Sequence, residues 1–181
     1  MKEESLLEIT RREFRQLRTL ADAAIAQLDD EEFFRATPGS NSVAVIVKHV
    51  AGNQLSRWRD FLTTDGEKPD RDRDTEFELG PGDTRGSLTR RWEAGWECLF
   101  TALEELADED GTRVVRIRGE PHTVWQAIHR QLSHYAYHVG QIVYVAKGWR
   151  GERWQGRSIA KGESRAFNAA PQAYLDEGSA P

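Results

Sequence analysis

The sequence predicts an all-α protein: a four-helix bundle, with a short strand or hairpin between the third and fourth helices. Three observations carry that expectation. Apolar residues recur at steps of three and four over four long stretches, the period of a helix that buries one face. Turn-forming residues punctuate the stretches. One charged connection of roughly twenty residues separates the second and third helices, which permits a topology other than simple up-down-up-down.

The first helix is expected from about Leu6 to Asp29, with Leu7, Phe14, Leu17, Ala21, Ala24 and Leu28 on one stripe. Thr37-Pro38-Gly39-Ser40-Asn41 breaks the chain, and Ser40 or Asn41 can cap the next helix. The second helix runs from about Ser42 to Thr63. Its opening, Val43 to Val47, is also compatible with a strand, but Val47, Val50, Ala51, Gln54, Trp58, Phe61 and Leu62 recur at helical spacing. Asp65 to Asp83 is charged, contains Pro69, Gly80, Pro81 and Gly82, and is expected to be mobile. The third helix covers about Thr84 to Ala107, with Leu88, Trp92, Gly95, Trp96, Leu99, Leu103 and Leu106 toward the core. Arg113 to Arg118 alternates like a strand. Thr123-Val124-Trp125-Gln126 reads as a capping box that opens the fourth helix, which ends near Lys147 and Gly148. The remainder, from about 148 to 181, is polar and irregular, with room for one short helix.

At 181 residues the chain is expected to form one domain spanning 1–181. Its net charge of −5 argues against a general nucleic-acid binder, which needs a basic face. The one basic stretch, Arg150, Arg153, Arg157, Lys161 and Arg165, is diluted by Glu152 and Glu163 and reads as a solvated tail. A single cysteine, Cys98, excludes an internal disulfide and fits a reducing compartment. The start is acidic rather than signal-like, and no run approaches the ~20 apolar residues that span a bilayer. A cytoplasmic protein that binds neither membrane nor nucleic acid is the expectation.

The fourth helix carries two stripes. Trp125, Ile128, Leu132, Tyr135, Val139, Ile142 and Ala146 form an apolar one. Ala127, Gln131, His134, His138, Gln141 and Val145 form a second that is polar in its middle. His134 and His138, four apart, lie on one face one turn apart and can reach a single metal ion. His49 sits in the apolar helical segment Val45 to Asn53, where an unpaired imidazole is costly. Taken alone, it also reads as a core histidine bonded to a neighbour, and the helix-four pair as two partly exposed side chains. Gly52 and Asn53, one turn on from His49, suggest a close approach and a polar partner on the same face. His122 reads as background at the mouth of the fourth helix, where it can line a site entrance. His129 falls off the polar stripe.

His49, together with His134-Tyr135-Ala136-Tyr137-His138-Val139-Gly140-Gln141, resembles the DinB/YfiT-like superfamily, and within it most nearly a family of unknown function, DUF1572. Ser158 to Ser164, followed by Phe167-Asn168, resembles that family's C-terminal signature. The likeness covers roughly Leu6 to Asn168. It implies a DinB-like four-helix bundle holding a divalent metal, often nickel or zinc, on three histidines. Matched residue by residue, these are His49, His134 and His138. It also implies a homodimer.

Three imidazoles leave a coordination position open, as in catalytic rather than structural sites. The resemblance implies a thiol S-transferase, with the metal acting as Lewis acid toward a low-molecular-weight thiol. No protein nucleophile is needed, and Cys98 reads as a buried small hydrophobe. Asn53 and Gln141, each one turn from a ligand, are candidates to orient ligands or touch a small-molecule substrate. Tyr137 and Trp58 are weaker candidates, expected to pack in the core. Arg150 to Arg165 is a candidate flap over the site. A metal-dependent hydrolase and a non-catalytic metal-binding, stress-related module stay open beside the transferase.

Overall fold

A computed structural model describes residues 4–159 and 161–169. It is mostly helical, with six α-helices and one two-stranded antiparallel sheet among the described residues. Ala160 of the expected C-terminal signature, and 170–181 of the irregular tail, lie outside the described residues. Among the described residues no helix is long and apolar enough to cross a membrane.

α1 (Leu6–Ile25) starts at a capping box between Ser5 and Glu8 and buries Leu7, Phe14, Ala21 and Ala24. It stops short of the expected Asp29. The Asp29 side chain instead accepts from the backbone N–H of Glu32 and opens a separate short helix, α2 (Asp30–Phe34). α3 (Val43–Trp58) is capped by Ser42, not by Ser40 or Asn41: Ser42 Oγ accepts from Val45 N at 3.2 Å. Every residue of α3 except Leu55 is buried, so this helix runs through the middle of the molecule. It ends at Trp58 rather than Thr63, because Asp60 turns into the left-handed region, φ 50°. α4 (Arg85–Glu104) packs against α3, and Gly95 is what lets it come close. A Cβ there would lie 2.5 Å from Gln54 Oε1 and 3.2 Å from Ala51 Cα.

β1 (Val114–Ile117) and β2 (Glu120–Thr123) form the hairpin expected near Arg113. Arg118 and Gly119 both take positive φ, which a two-residue turn of the type that matches strand twist requires. Val115 and Ile117 point inward. Thr123 then caps α5 (Val124–Arg150) with Gln126, as the sequence suggested. At ~1.5 Å per residue α5 spans about 40 Å. It stops at Gly151, φ 54°. α6 (Ser164–Ala169) is the short helix expected in the tail.

α1 packs along α5, α3 touches α5, and α4 touches α1, so the four long helices share one apolar cluster. Phe14, Trp58, Trp96 and Tyr135 are fully buried in it and form a chain of edge and tilted pairs, Trp58 on Phe14, Phe14 on Tyr135 and Tyr135 on Trp96, with centroids about 6 Å apart. Losing such a ring costs about 3–5 kcal/mol.

The 65–83 connection is not loose. It lies back on α3 through a short 3-10 turn (Asp74–Phe77). Lys48 Nζ donates to Asp83 Oδ2 at 2.8 Å and to the Glu78 carbonyl at 2.7 Å. The Asp65 carboxylate accepts from the backbone N–H of Arg118 and of Gly119, tying the connection to the hairpin turn. Charge and proline content suggested mobility. The charges are instead paired, and several are buried.

Candidate metal centre

α3 and α5 run side by side, so His49 faces the two histidines that α5 presents one turn apart. Each imidazole offers a ring nitrogen to one point. The three candidate ligand atoms lie within 4.8 Å of one another. His49 Nε2 and His134 Nε2 are 3.4 Å apart, and His138 Nε2 and His134 Nε2 are 3.1 Å apart. Two imidazole nitrogens bound tetrahedrally to one zinc at about 2.05 Å stand about 3.3 Å apart. The separations therefore suit a single first-row ion.

The other ring nitrogens fix which atoms face inward. His49 Nδ1 lies 2.9 Å from Glu76 Oε2, and a carboxylate can only accept, so the proton sits on Nδ1 and Nε2 keeps its lone pair. His138 Nδ1 donates to Gln141 Oε1 at 2.8 Å, leaving its Nε2 lone pair free as well. His134 Nε2 faces both. It carries at most one proton and so cannot satisfy two lone pairs at once. His134 Nδ1 is buried and has no hydrogen-bond partner among the described residues. A cluster of lone pairs in a buried place repels itself unless a cation sits among them.

The protonation tendencies agree. Burial, reinforced by the neighbouring imidazoles, lowers the pKa of His134 to about 3. Burial and the neighbouring His49 ring lower that of His138 to about 4. Both are neutral at physiological pH, the form that binds metal.

Glu76 is the residue that sequence reading missed. It is 1% exposed. Arg71 grips it from two sides, Nε to Oε1 and Nη2 to Oε2, both at 2.8 Å. Burial pushes its carboxyl up, but the bonds from Arg71 and His49 outweigh that and hold its pKa below the usual carboxylate range. Arg71 bonds in turn to Glu67, which also meets Arg57 and Arg118. Gly52 makes room for the carboxylate: a Cβ there would fall 2.2 Å from Glu76 Oε1. That glycine, with Phe77 standing alone among charges, was the available signal. Phe77 stacks on the His49 ring, centroids 4.6 Å apart, and closes that side of the cluster.

The other candidates separate. Gln141 touches His138 directly. Asn53 does not reach the histidines. Its Oδ1 accepts from Tyr135 Oη at 3.0 Å, and Tyr135 accepts from Trp58 Nε1 at 3.1 Å, a network inside the core. Trp58 is core, as expected. Tyr137 is not: it is 64% exposed, its ring edge against His138. Cys98 is half-buried on a surface cavity of about 440 Å3 beside Arg59 and Phe61, and burial raises its pKa. It lies on α4, which does not contribute to the histidine cluster. His122 sits half-buried on β2, and His129 stacks on Trp125. The basic stretch does not close over the histidines where it begins. Arg150 and Arg153 both bond to Glu32 on α2.

Residues 2–163 match the family described as "Protein of unknown function (DUF1572)". No curated protein matches the chain.

Proposed function

From a chain that belongs to the DUF1572 family, and from the buried histidine cluster it carries, we propose a divalent-metal protein with a DinB-like four-helix bundle that acts as a metal-dependent S-transferase on a low-molecular-weight thiol. One observation carries the reading: three imidazole nitrogens converge within 4.8 Å of one another, His134 Nε2 lying 3.1–3.4 Å from those of His138 and His49, with no proton to separate them all. His49, His134 and His138 would hold the ion, with nickel and zinc the expected metals. When bound, it supplies Lewis acidity that favours the thiolate form of a thiol at neutral pH.

The protein's own groups set the geometry. Glu76 and Gln141 hold the protons on the outer nitrogens of His49 and His138, which keeps both inner nitrogens as donors toward the ion. Phe77 shields one side from water. In the transfer, the thiol gives up its S–H proton and a new S–C bond forms at the acceptor carbon. The bond to the leaving group breaks with its electron pair, and the leaving group takes up the proton. The chain need not provide the nucleophile. Among the described residues no serine, cysteine or unpaired carboxylate is hydrogen-bonded to the three imidazoles, and the one carboxylate that is, Glu76, is saturated by Arg71. That weighs against a hydrolase, which needs a base to draw a proton from water.

The test is a panel of low-molecular-weight thiols and alkylating acceptors with nickel- or zinc-loaded protein, read by mass spectrometry for the thioether. Thioether that requires both metal and protein supports the transferase. Acceptor cleaved without thiol indicates a hydrolase, and no turnover of any pair leaves a binding module.

A further inference from the structure

The polar stripe of α5 does not end at the histidines. His134, His138, Gln141, Val145 and Trp149 follow one another at steps of four, three, four and four, so they share a face. Two adjoining cavities lie along that face. One, of about 360 Å3, reaches Gln141 and Ile46, next to the metal ligands of α5 and α3. The other, of about 470 Å3, extends to Lys147 and Trp149. Thr37, Tyr144 and Val145 line both, which makes them one groove.

Its two ends differ in chemistry. Ser40, Asn41 and Gln141 give the inner end hydroxyl and amide groups. The outer end is apolar between Val145, Tyr144 and Trp149, with Lys147 at its rim. Arg35 stacks on the far ring, 4.8 Å from the Trp149 centroid, but Glu31 Oε1 accepts from its Nη2 at 2.6 Å, so Lys147 is the cation that an acidic group would meet there. Tyr144, which lines both cavities, stands 81% exposed and offers an aromatic surface.

We propose that this groove seats the acceptor substrate: an elongated molecule with an apolar or aromatic body and an acidic group at its far end. The inference rests on the histidine cluster being the reacting centre. From Gln141 to Trp149 the helix rises about 12 Å, so an occupant spanning the groove places one end at Gln141, which bonds to His138, and the other between Trp149 and Lys147. Low-molecular-weight thiols are small and polar and suit the inner end. The apolar outer end has no use for them and matches the acceptor's body.

Anilinonaphthalene sulfonate has an apolar aromatic body and one anionic group, and is the probe. Wild-type protein should bind it saturably at one site with a rise in fluorescence. Tyr144→Ala, which alters only an exposed side chain, should weaken binding about fivefold. Val145→Arg, which puts a charge into the groove, should weaken it about tenfold or more. Both variants should hold as much nickel or zinc as wild type, and an unchanged thermal midpoint for Tyr144→Ala removes misfolding as an explanation. No saturable binding by wild type, or unchanged affinity in both variants, overturns the groove. Dye binding that responds as described in a protein that takes up no metal supports the groove and rejects the metal reading. Full metal with an indifferent dye does the reverse.

Discussion

Replacing Glu76 by Gln tests how far a buried carboxylate holds the cluster together. Its two oxygens accept one bond from His49 and two from Arg71, all between 2.8 and 2.9 Å. A Gln keeps one accepting oxygen and turns an NH2 toward a donor. The buried Arg71 keeps only Glu67 as an ionic partner. Bonds to charged groups contribute about 1.5–3 kcal/mol each, and removing one partner of a buried pair costs about 3–5 kcal/mol. The expected loss is about 3 kcal/mol, seen in urea as a lower midpoint with unchanged slope, and roughly 6–12 °C in Tm for a chain of this size. Metal affinity, measured by competition with a chromophoric chelator, should fall about 10–100-fold, because His49 loses the partner that fixes its tautomer. Stability lost with affinity intact would show that Glu76 serves only the packing of the 65–83 connection. Neither changing would refute the account of this carboxylate.

Metal-free protein should lose stability in mild acid. His134 and His138 titrate near 3 and 4 when folded and near 6.5 when unfolded, so between those values the unfolded chain holds more protons. Their contribution is complete above about pH 6.5 and shrinks as pH falls toward 4, by at most about 1.4 kcal/mol per pH unit for each ring. Urea midpoints across that range check it, and the decline should be smaller in His134→Ala/His138→Ala, where only the carboxylates held low, such as Glu76, still contribute. Tyr135→Phe should cost about 1–3 kcal/mol, since it strands Trp58 Nε1–H and Asn53 Oδ1 in the core, while metal affinity stays within twofold or so. Calorimetry and the chelator assay read the two halves of that claim.

The four long helices were legible because each buries a broad stripe; of the residues that cap them, Ser5, Ser42, Thr84 and Thr123, the sequence reading identified Thr123 and placed the cap of α3 one or two residues early. The three histidines were legible in part: two by their spacing on α5, and His49 because an imidazole in an apolar run demands a partner. The rest depended on tertiary contact. Asp65 to Asp83 looks mobile from composition, and only its pairing with Lys48, Arg57 and His49 across α3 makes it structure. Asn53 sits four residues after His49, yet the side chain turns toward Tyr135, a choice that helical spacing does not fix. Tyr137 lies between the two α5 histidines in sequence and outside them in space, because neighbours in a helix point about 100° apart.

The most direct measurement is elemental analysis by plasma mass spectrometry of untagged protein, beside His49→Ala, His134→Ala and His138→Ala. Near one equivalent of nickel or zinc in wild type, lost in each variant while far-UV circular dichroism is retained, is the predicted result. Wild-type protein that holds no metal after incubation with either ion would contradict the central claim and remove the transferase with it.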